Sequence, residues 1–271
     1  GDNYKDALKI VEKLNHNGYS ITIDILGEHS KTESISTEIT NKYIDLFKSI
    51  NSKKLDCNIS VKPTHLGLDI NYECAEKNLL SLSNTAKEYN NFLRIDMESS
   101  DVTDRTIQLY KRCKKNYSKS GTVIQAYLHR SIEDLKKLKS DTSFNFRLCK
   151  GIYRESSDIA IQNRKDINKN YLHLLEYAFK HDLYVGIATH DLDIIKATYK
   201  LIDKYQIKPE RFEFQVLYGV PISGWLEKHL KNGYKVRVYV PFGPEWYDYS
   251  IRRLKENPNI AGYIISNFFK K

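Results

Sequence analysis

Residues 235–256, KVRVYVPFGPEWYDYSIRRLKE, place an arginine pair shortly after an apolar stretch. Residues 236–240 read as a buried, β-branched strand. Pro241, Phe242, Gly243 and Pro244 read as a turn that breaks it, and a helix is expected from near Glu245. On that helix Tyr249, Arg252, Arg253 and Glu256 stand at i, i+3, i+4 and i+7 and share one face. Tyr247, Ile251 and Leu254 fall roughly opposite, where they can pack on a core. The polar stripe is then free to point elsewhere. Two adjacent arginines with a carboxylate one turn on make a good fork for a substrate carboxylate. The blander reading is a solvated face laced with i,i+4 ion pairs, and for this segment alone it is the commoner case.

The elements that must position such a face alternate along the chain. Strands are expected at 21–26, 57–61, 92–97, 122–128, 144–149, 184–188, 212–217 and 236–240. Helices follow each, at 35–50, 73–90, 102–117, 131–139, 157–181, 191–206, 222–231 and 245–257. A short amphipathic helix, about 4–17, precedes the first strand, with nothing resembling a signal peptide. Eight β-then-α units without a linker imply an α/β fold, a single (β/α)8 TIM-type barrel domain spanning residues 1–271. In such barrels the active site lies at the C-terminal ends of the strands. Polar or aromatic groups recur there: Glu28, Lys62, Asp96 with Glu98, Gln125 with Tyr127, Arg147 with Lys150, Thr189 with His190, Gln215 with Tyr218, and Tyr239. Any one alone would more often be a cap or a structural ion pair; their recurrence over eight exits favours a site.

Composition narrows the class. No stretch approaches ~20 apolar residues, so no membrane-spanning helix is expected. Four widely spaced cysteines form no CxxC pair and no Cys/His cluster, which points to reduced thiols, a cytoplasmic setting and no metal. The net charge of +9 permits nucleic acid or an anionic membrane as partner. The lysines are spread along helices, however, and no nucleic-acid-binding or P-loop pattern occurs.

Five blocks carry a resemblance: DMES (96–99), RLCKGIY (147–153), ATHD (188–191), FEFQVLYG (212–219) and RVYVPFGPEWYDYSIRRLKEN (237–257). In order and barrel position they resemble proline dehydrogenase, over roughly residues 21–257. The resemblance implies a distorted (β/α)8 barrel with its last helix over the mouth. It implies an FAD-dependent enzyme that oxidises L-proline to Δ1-pyrroline-5-carboxylate and passes electrons to a membrane quinone. No aldehyde dehydrogenase domain accompanies these blocks, so a monofunctional enzyme is expected, with pyrroline-5-carboxylate dehydrogenase as a separate downstream partner. Peripheral contact with an anionic membrane, at its inner face, would bring it to the quinone.

By the same resemblance Arg252 and Arg253 clamp the proline carboxylate, Glu256 pairs with them, and Lys62 binds on the carboxylate side. Tyr239, Tyr249 and Leu217 wall in the ring. Asp96 and Tyr153 hold the site together near the flavin. Arg147 sits near the hydride-accepting nitrogen and Gln125 at the isoalloxazine edge. Cys149, Lys150, Gly151, Thr189, His190 and Gln215 line the flavin, ribityl or pyrophosphate path. Glu28 falls in a structural or gating turn. Two residues depart from the family pattern: Ile152 stands where a small residue is usual, and Arg154 where an aromatic is usual. The rival readings are a dehydrogenase for a related imino acid such as hydroxyproline and, from another class, a basic nucleic-acid-binding protein. The tyrosine at 249 favours proline over its hydroxylated analogue, because it packs where the hydroxyl would stand.

Overall fold

The computed structural model describes residues 4–139, 143–220, 222 and 224–243. Eight parallel strands close into a barrel in sequence order: β1 Ser20–Ile25, β2 Cys57–Val61, β3 Leu93–Ile95, β4 Ser120–Gln125, β5 Asn145–Cys149, β6 Tyr184–Ala188, β7 Phe212–Leu217 and β8 Val236–Phe242. Helix α1 (Tyr4–His16) precedes β1. Helices α2 (Glu33–Ser52), α3 (Tyr72–Glu88), α4 (Thr103–Asn116), α5 (Ser131–Leu138), α6 (Arg164–Lys180), α7 (Leu192–Tyr205) and α8 (Trp225–Lys231) follow β1 to β7 in turn. The expected helix at 245–257 lies outside the described residues. No helix among the described residues is long and apolar enough to cross a membrane.

Side-chain caps set several helix starts. Thr32, Asn71 and Asn163 each accept a hydrogen bond from a backbone N–H in the first turn of α2, α3 and α6. The Asn163 cap explains why α6 begins later than the expected 157: before it, Ala160 bridges to Leu128. Strand β4 lies two to three residues earlier than expected. Its pairing begins at Leu93–Ser120, and after Gln125 the chain turns, with the Leu128 N–H on the Gln125 carbonyl. Strand β3 is shorter than the expected 92–97.

Strand β8 departs most from expectation. Pro241 does not break it; the strand pairs with β1 through Asp24–Pro241 and Ile25–Phe242. The missing N–H of Pro241 removes no ladder bond, because pairing with β7 ends at Leu217–Tyr239 and leaves that side open.

The two faces of each strand differ in chemistry. Ile21, Ile23, Ile25, Ile59 and Val61 turn outward and join Tyr43, Leu46, Phe47 and Ile50 of α2 in one apolar cluster. Burying each such aliphatic side chain contributes about 1.5–3 kcal/mol. The alternate residues face the barrel axis, and they are polar: Ser20, Thr22 and Asp24 on β1, Asn58 and Ser60 on β2, Glu213 and Gln215 on β7, Arg237 and Tyr239 on β8. On these strands period two separates a dry outer face from a polar inner one.

Candidate active site

Six strands and α2 converge beneath the mouth. The Arg147 guanidinium, at the middle of β5, reaches three non-neighbouring strands. Its Nη1 donates to Asp96 Oδ1 at 2.6 Å, its Nε to Gln215 Oε1 at 2.7 Å, and its Nη2 to Ser60 Oγ at 3.5 Å. It also lies 5.1 Å from the Tyr239 ring centre, within range of a cation–π contact. Ser60 donates to Asp96 Oδ1 at 2.6 Å. The Tyr239 hydroxyl donates to Asp24 Oδ2 at 2.7 Å, with Asp96 Oδ2 at 3.4 Å. Lys62, just past β2, pairs with Asp24 Oδ2, and Tyr43 of α2 donates to Asp24 Oδ1 at 2.8 Å. The network thus joins five expected site residues, Lys62, Asp96, Arg147, Gln215 and Tyr239, through two that the sequence reading passed over, Asp24 and Ser60.

Burial shapes these charges. Burial alone would lower the Lys62 ammonium, but the charges of Asp24 and Asp96 outweigh it and raise it. The same competition raises Arg147, with Asp96 outweighing burial. Both cations therefore remain protonated at neutral pH. The site offers fixed positive charges in a buried setting, where an anion would be held without competition from water.

The remaining expected residues lie around this network. Tyr153 donates to Glu28 Oε1 at 3.3 Å, tying the exit of β5 to that of β1. Lys150 pairs with Asp191 at 2.6 Å; Arg164 and Asn168 hold the same carboxylate. His190 Nε2 accepts the Leu217 N–H at 3.1 Å, and burial pushes the ring down to about 4. It thereby fixes the end of β7. Thr189 Oγ1 accepts the Asp191 N–H at 3.0 Å. Gln215 has both ends of its amide engaged within the protein. Tyr249, Arg252, Arg253 and Glu256 lie outside the described residues.

The exits of β4 to β6 carry groups suited to a flavin. Gln125 is buried, and its Oε1 has no hydrogen-bond partner among the described residues. A ring N–H would satisfy that acceptor. Gly151 has φ +104°, and a Cβ there would fall 2.0 Å from the Tyr127 ring, so the chain lies flat where it leaves β5. Lys150 and Arg164 outnumber the one carboxylate between them, which suits a diphosphate. These residues fit the group.

One strand-exit residue was given no role by the sequence. Glu98, past β3, is buried; its carboxylate accepts the Thr64 N–H at 3.0 Å and also meets the Thr64 hydroxyl. Burial pushes its pKa up to about 7, against those hydrogen bonds. The folded state therefore favours the protonated acid. Its contribution is complete below the ordinary glutamate range near 4.5 and is lost as pH rises through about 7, roughly 3 kcal/mol in all. Glu98→Gln, a neutral mimic, should flatten that slope. Thermal midpoints of both proteins at pH 5 and pH 8 check it; an equal gap at the two pH values would exclude the assignment.

Comparison with known proteins agrees with this geometry. Residues 7–264 match the family model described as proline dehydrogenase. Proline dehydrogenase 1 of Bacillus subtilis subsp. natto is 38% identical over the whole chain, covering 89% of its own length. Proline dehydrogenase of Deinococcus radiodurans is 32% identical over the whole chain, covering 88% of its own. Among solved structures, proline utilization A from Bdellovibrio bacteriovorus, inactivated by N-propargylglycine, superposes with a TM-score of 0.87 at 26% identity over 95% of this chain. The present chain spans about a third (32%) of that longer protein. A closed parallel barrel with a polar axis, a family model matched over residues 7–264 and relatives matched over the whole of this chain leave one assignment: the chain belongs to the proline dehydrogenase family.

Proposed function

We propose that this protein oxidises L-proline to Δ1-pyrroline-5-carboxylate with non-covalently bound FAD, in proline catabolism, and that the electrons pass on to a quinone. The observation that carries this reading is the buried network in which Asp24, Asp96 and Tyr239 hold Lys62 and Arg147 charged and oriented beneath the barrel mouth. FAD supplies the hydride acceptor. Gln125, Arg147, Cys149, Lys150, Gly151 and Thr189 would hold it, and His190 shapes that wall through Leu217.

The protein's own residues bind, orient and exclude water. Lys62, with Arg252 and Arg253, grips the carboxylate, which fixes the ring Cδ–H of proline, the bond that must break to form the N=Cδ bond of the product, relative to the flavin. Tyr239, Leu217 and Tyr249 enclose the ring. The amine must be neutral before its carbon gives up hydride, and a closed, dry site favours the neutral form. Arg147, permanently protonated, stabilises negative charge as it develops on the acceptor. The visible absorption spectrum of the purified protein before and after adding L-proline tests the reading. A yellow spectrum bleached by proline is expected. A colourless folded protein, or one indifferent to proline, overturns it.

The arginine pair gives a second expectation. Arg252→Met or Arg253→Met should weaken apparent proline affinity by about ten- to two-hundred-fold, the loss of one charged hydrogen bond. FAD content should be unchanged. Tyr249→Ser should instead lower proline turnover and improve relative use of hydroxyproline. Steady-state kinetics on the three variants decide it: unaltered proline affinity in the arginine variants would return that helix face to solvent. Electron delivery to a quinone would bring the chain to a membrane surface, which its charge of +9 suits.

A further inference from the structure

Glu213 lies on the inner face of β7, two residues before Gln215 and one layer below the mouth network. It accepts from Arg237 Nε at 2.7 Å, from Gln215 Nε2 at 2.6 Å and from the Tyr184 hydroxyl at 3.0 Å. Burial alone would raise this carboxyl, but Arg237 outweighs it and holds it down at about 2. At any working pH Glu213 is therefore an acceptor only. At the other end of the chain of bonds, the Arg147 guanidinium is a donor only. Gln215 stands between them, and its amide satisfies both in one orientation alone: nitrogen down to Glu213, oxygen up to Arg147. The flipped amide would set N–H against N–H above and oxygen against carboxylate below. Gly186 on β6 supplies the slot, since a Cβ there would fall 2.3 Å from Gln215 Nε2. Arg237, Glu213, Gln215, Arg147 and Asp96 thus form a column of fixed donor–acceptor direction along the barrel axis.

We propose that Glu213 is a positioning residue for the oxidation: acting through Gln215, it fixes where the Arg147 guanidinium sits. By keeping its own carboxylate one layer down, it also leaves the Arg147 charge to be balanced directly by Asp96 alone among the described residues. The inference rests on the reading that Arg147 faces the flavin. It differs from a packing role, because a buried ion pair that only held β7 to β8 would have no influence on Arg147.

The test uses the flavin-loaded enzyme with Glu213→Gln, and with the exchange Glu213→Gln plus Gln215→Glu. The single change removes the fixed negative acceptor beneath Gln215, so that Arg147 alone still orders that amide and the bond holding it from below is weakened. Its kcat for proline should fall about tenfold or more, as expected for a misplaced catalytic group, with KM within about threefold. In the flavin-free protein, the Arg147 Nε–H resonance should lose its protection from solvent exchange. The exchanged pair keeps the number of buried charges and leaves every bond matched, with the 213–215 bond reversed: the new amide at 213 accepts from Arg237 and donates to the new carboxylate at 215, which still accepts from Arg147. It should fold, recover the protected Nε–H, and show a lower flavin midpoint potential than wild type, since a second carboxylate then touches Arg147. A single variant that loses only thermal stability, with kcat and the Nε–H signal unmoved, overturns the inference. So does an exchanged pair with wild-type potential. Should the single variant fail to fold, the exchanged pair decides. Should proline fail to reduce the wild-type flavin, the proposed substrate is wrong, and the Nε–H measurement still decides whether Glu213 positions Arg147.

Discussion

Replacing Arg147 with methionine is expected to lower the rate of flavin reduction at saturating proline by about a hundred- to a thousandfold. This is the range seen when one preorganised charge-stabilising donor is removed from a buried site. Two effects combine. The fixed positive charge disappears from the middle of β5. Asp96, Ser60 and Gln215, which all meet the guanidinium, are then left with unmatched acceptors. Lysine should recover only part of the rate, since a single ammonium cannot reach three strands at once. Rapid-mixing measurement of flavin bleaching separates this step from proline binding. A methionine variant that bleaches within tenfold of wild type would remove Arg147 from the assignment.

Asp24 carries the largest expected effect on stability. Its carboxylate is fully buried and meets Lys62, Tyr43 and Tyr239. Asp24→Ala strands the Lys62 ammonium in the barrel and should cost about 3–5 kcal/mol, the usual penalty for breaking one side of a buried pair. Adding Lys62→Met removes the stranded charge and should restore most of that stability. Denaturant unfolding of the two single variants and the double provides the cycle. Single losses that simply add in the double would show that the two groups do not act on each other. The double variant should nonetheless lose proline turnover, because Lys62 belongs to the carboxylate grip.

Much of this was legible in the chain. The eight alternating units were visible as apolar runs, and Cys57–Val61, Tyr184–Ala188 and Phe212–Leu217 have the expected bounds. The residues missed share one cause. Reading SITIDI or FEFQVL as a hydrophobic run hides its second face. Taken at period two, Ser20, Thr22 and Asp24 fall on one side of β1, and Glu213 and Gln215 on one side of β7. That alternation was the available signal for Asp24, Ser60, Glu213 and Arg237. It ran against the usual expectation that a TIM barrel is filled by branched aliphatics. Pro241 misled for a related reason: a proline breaks a strand only where its N–H is needed, and the pairing of β7 with β8 that decides this is not local. The pairing of Lys150 with Asp191 and the role of His190 likewise depend on loops from neighbouring units.

The polar axis has a consequence for how the chain reaches this shape. Asp24 on β1 needs Tyr239 from β8, and Arg147 on β5 needs Asp96 from the exit of β3 and Gln215 from β7. A fragment holding the first four strands would bury Asp96 without its arginine, and one holding the last four would bury Arg147 without its aspartate. Neither half has a balanced interior, so neither is a stable stopping point. The ring should close late and as one event, with the inner hydrogen bonds appearing together, and the backbone amides of all eight strands should exchange with solvent through a single shared opening.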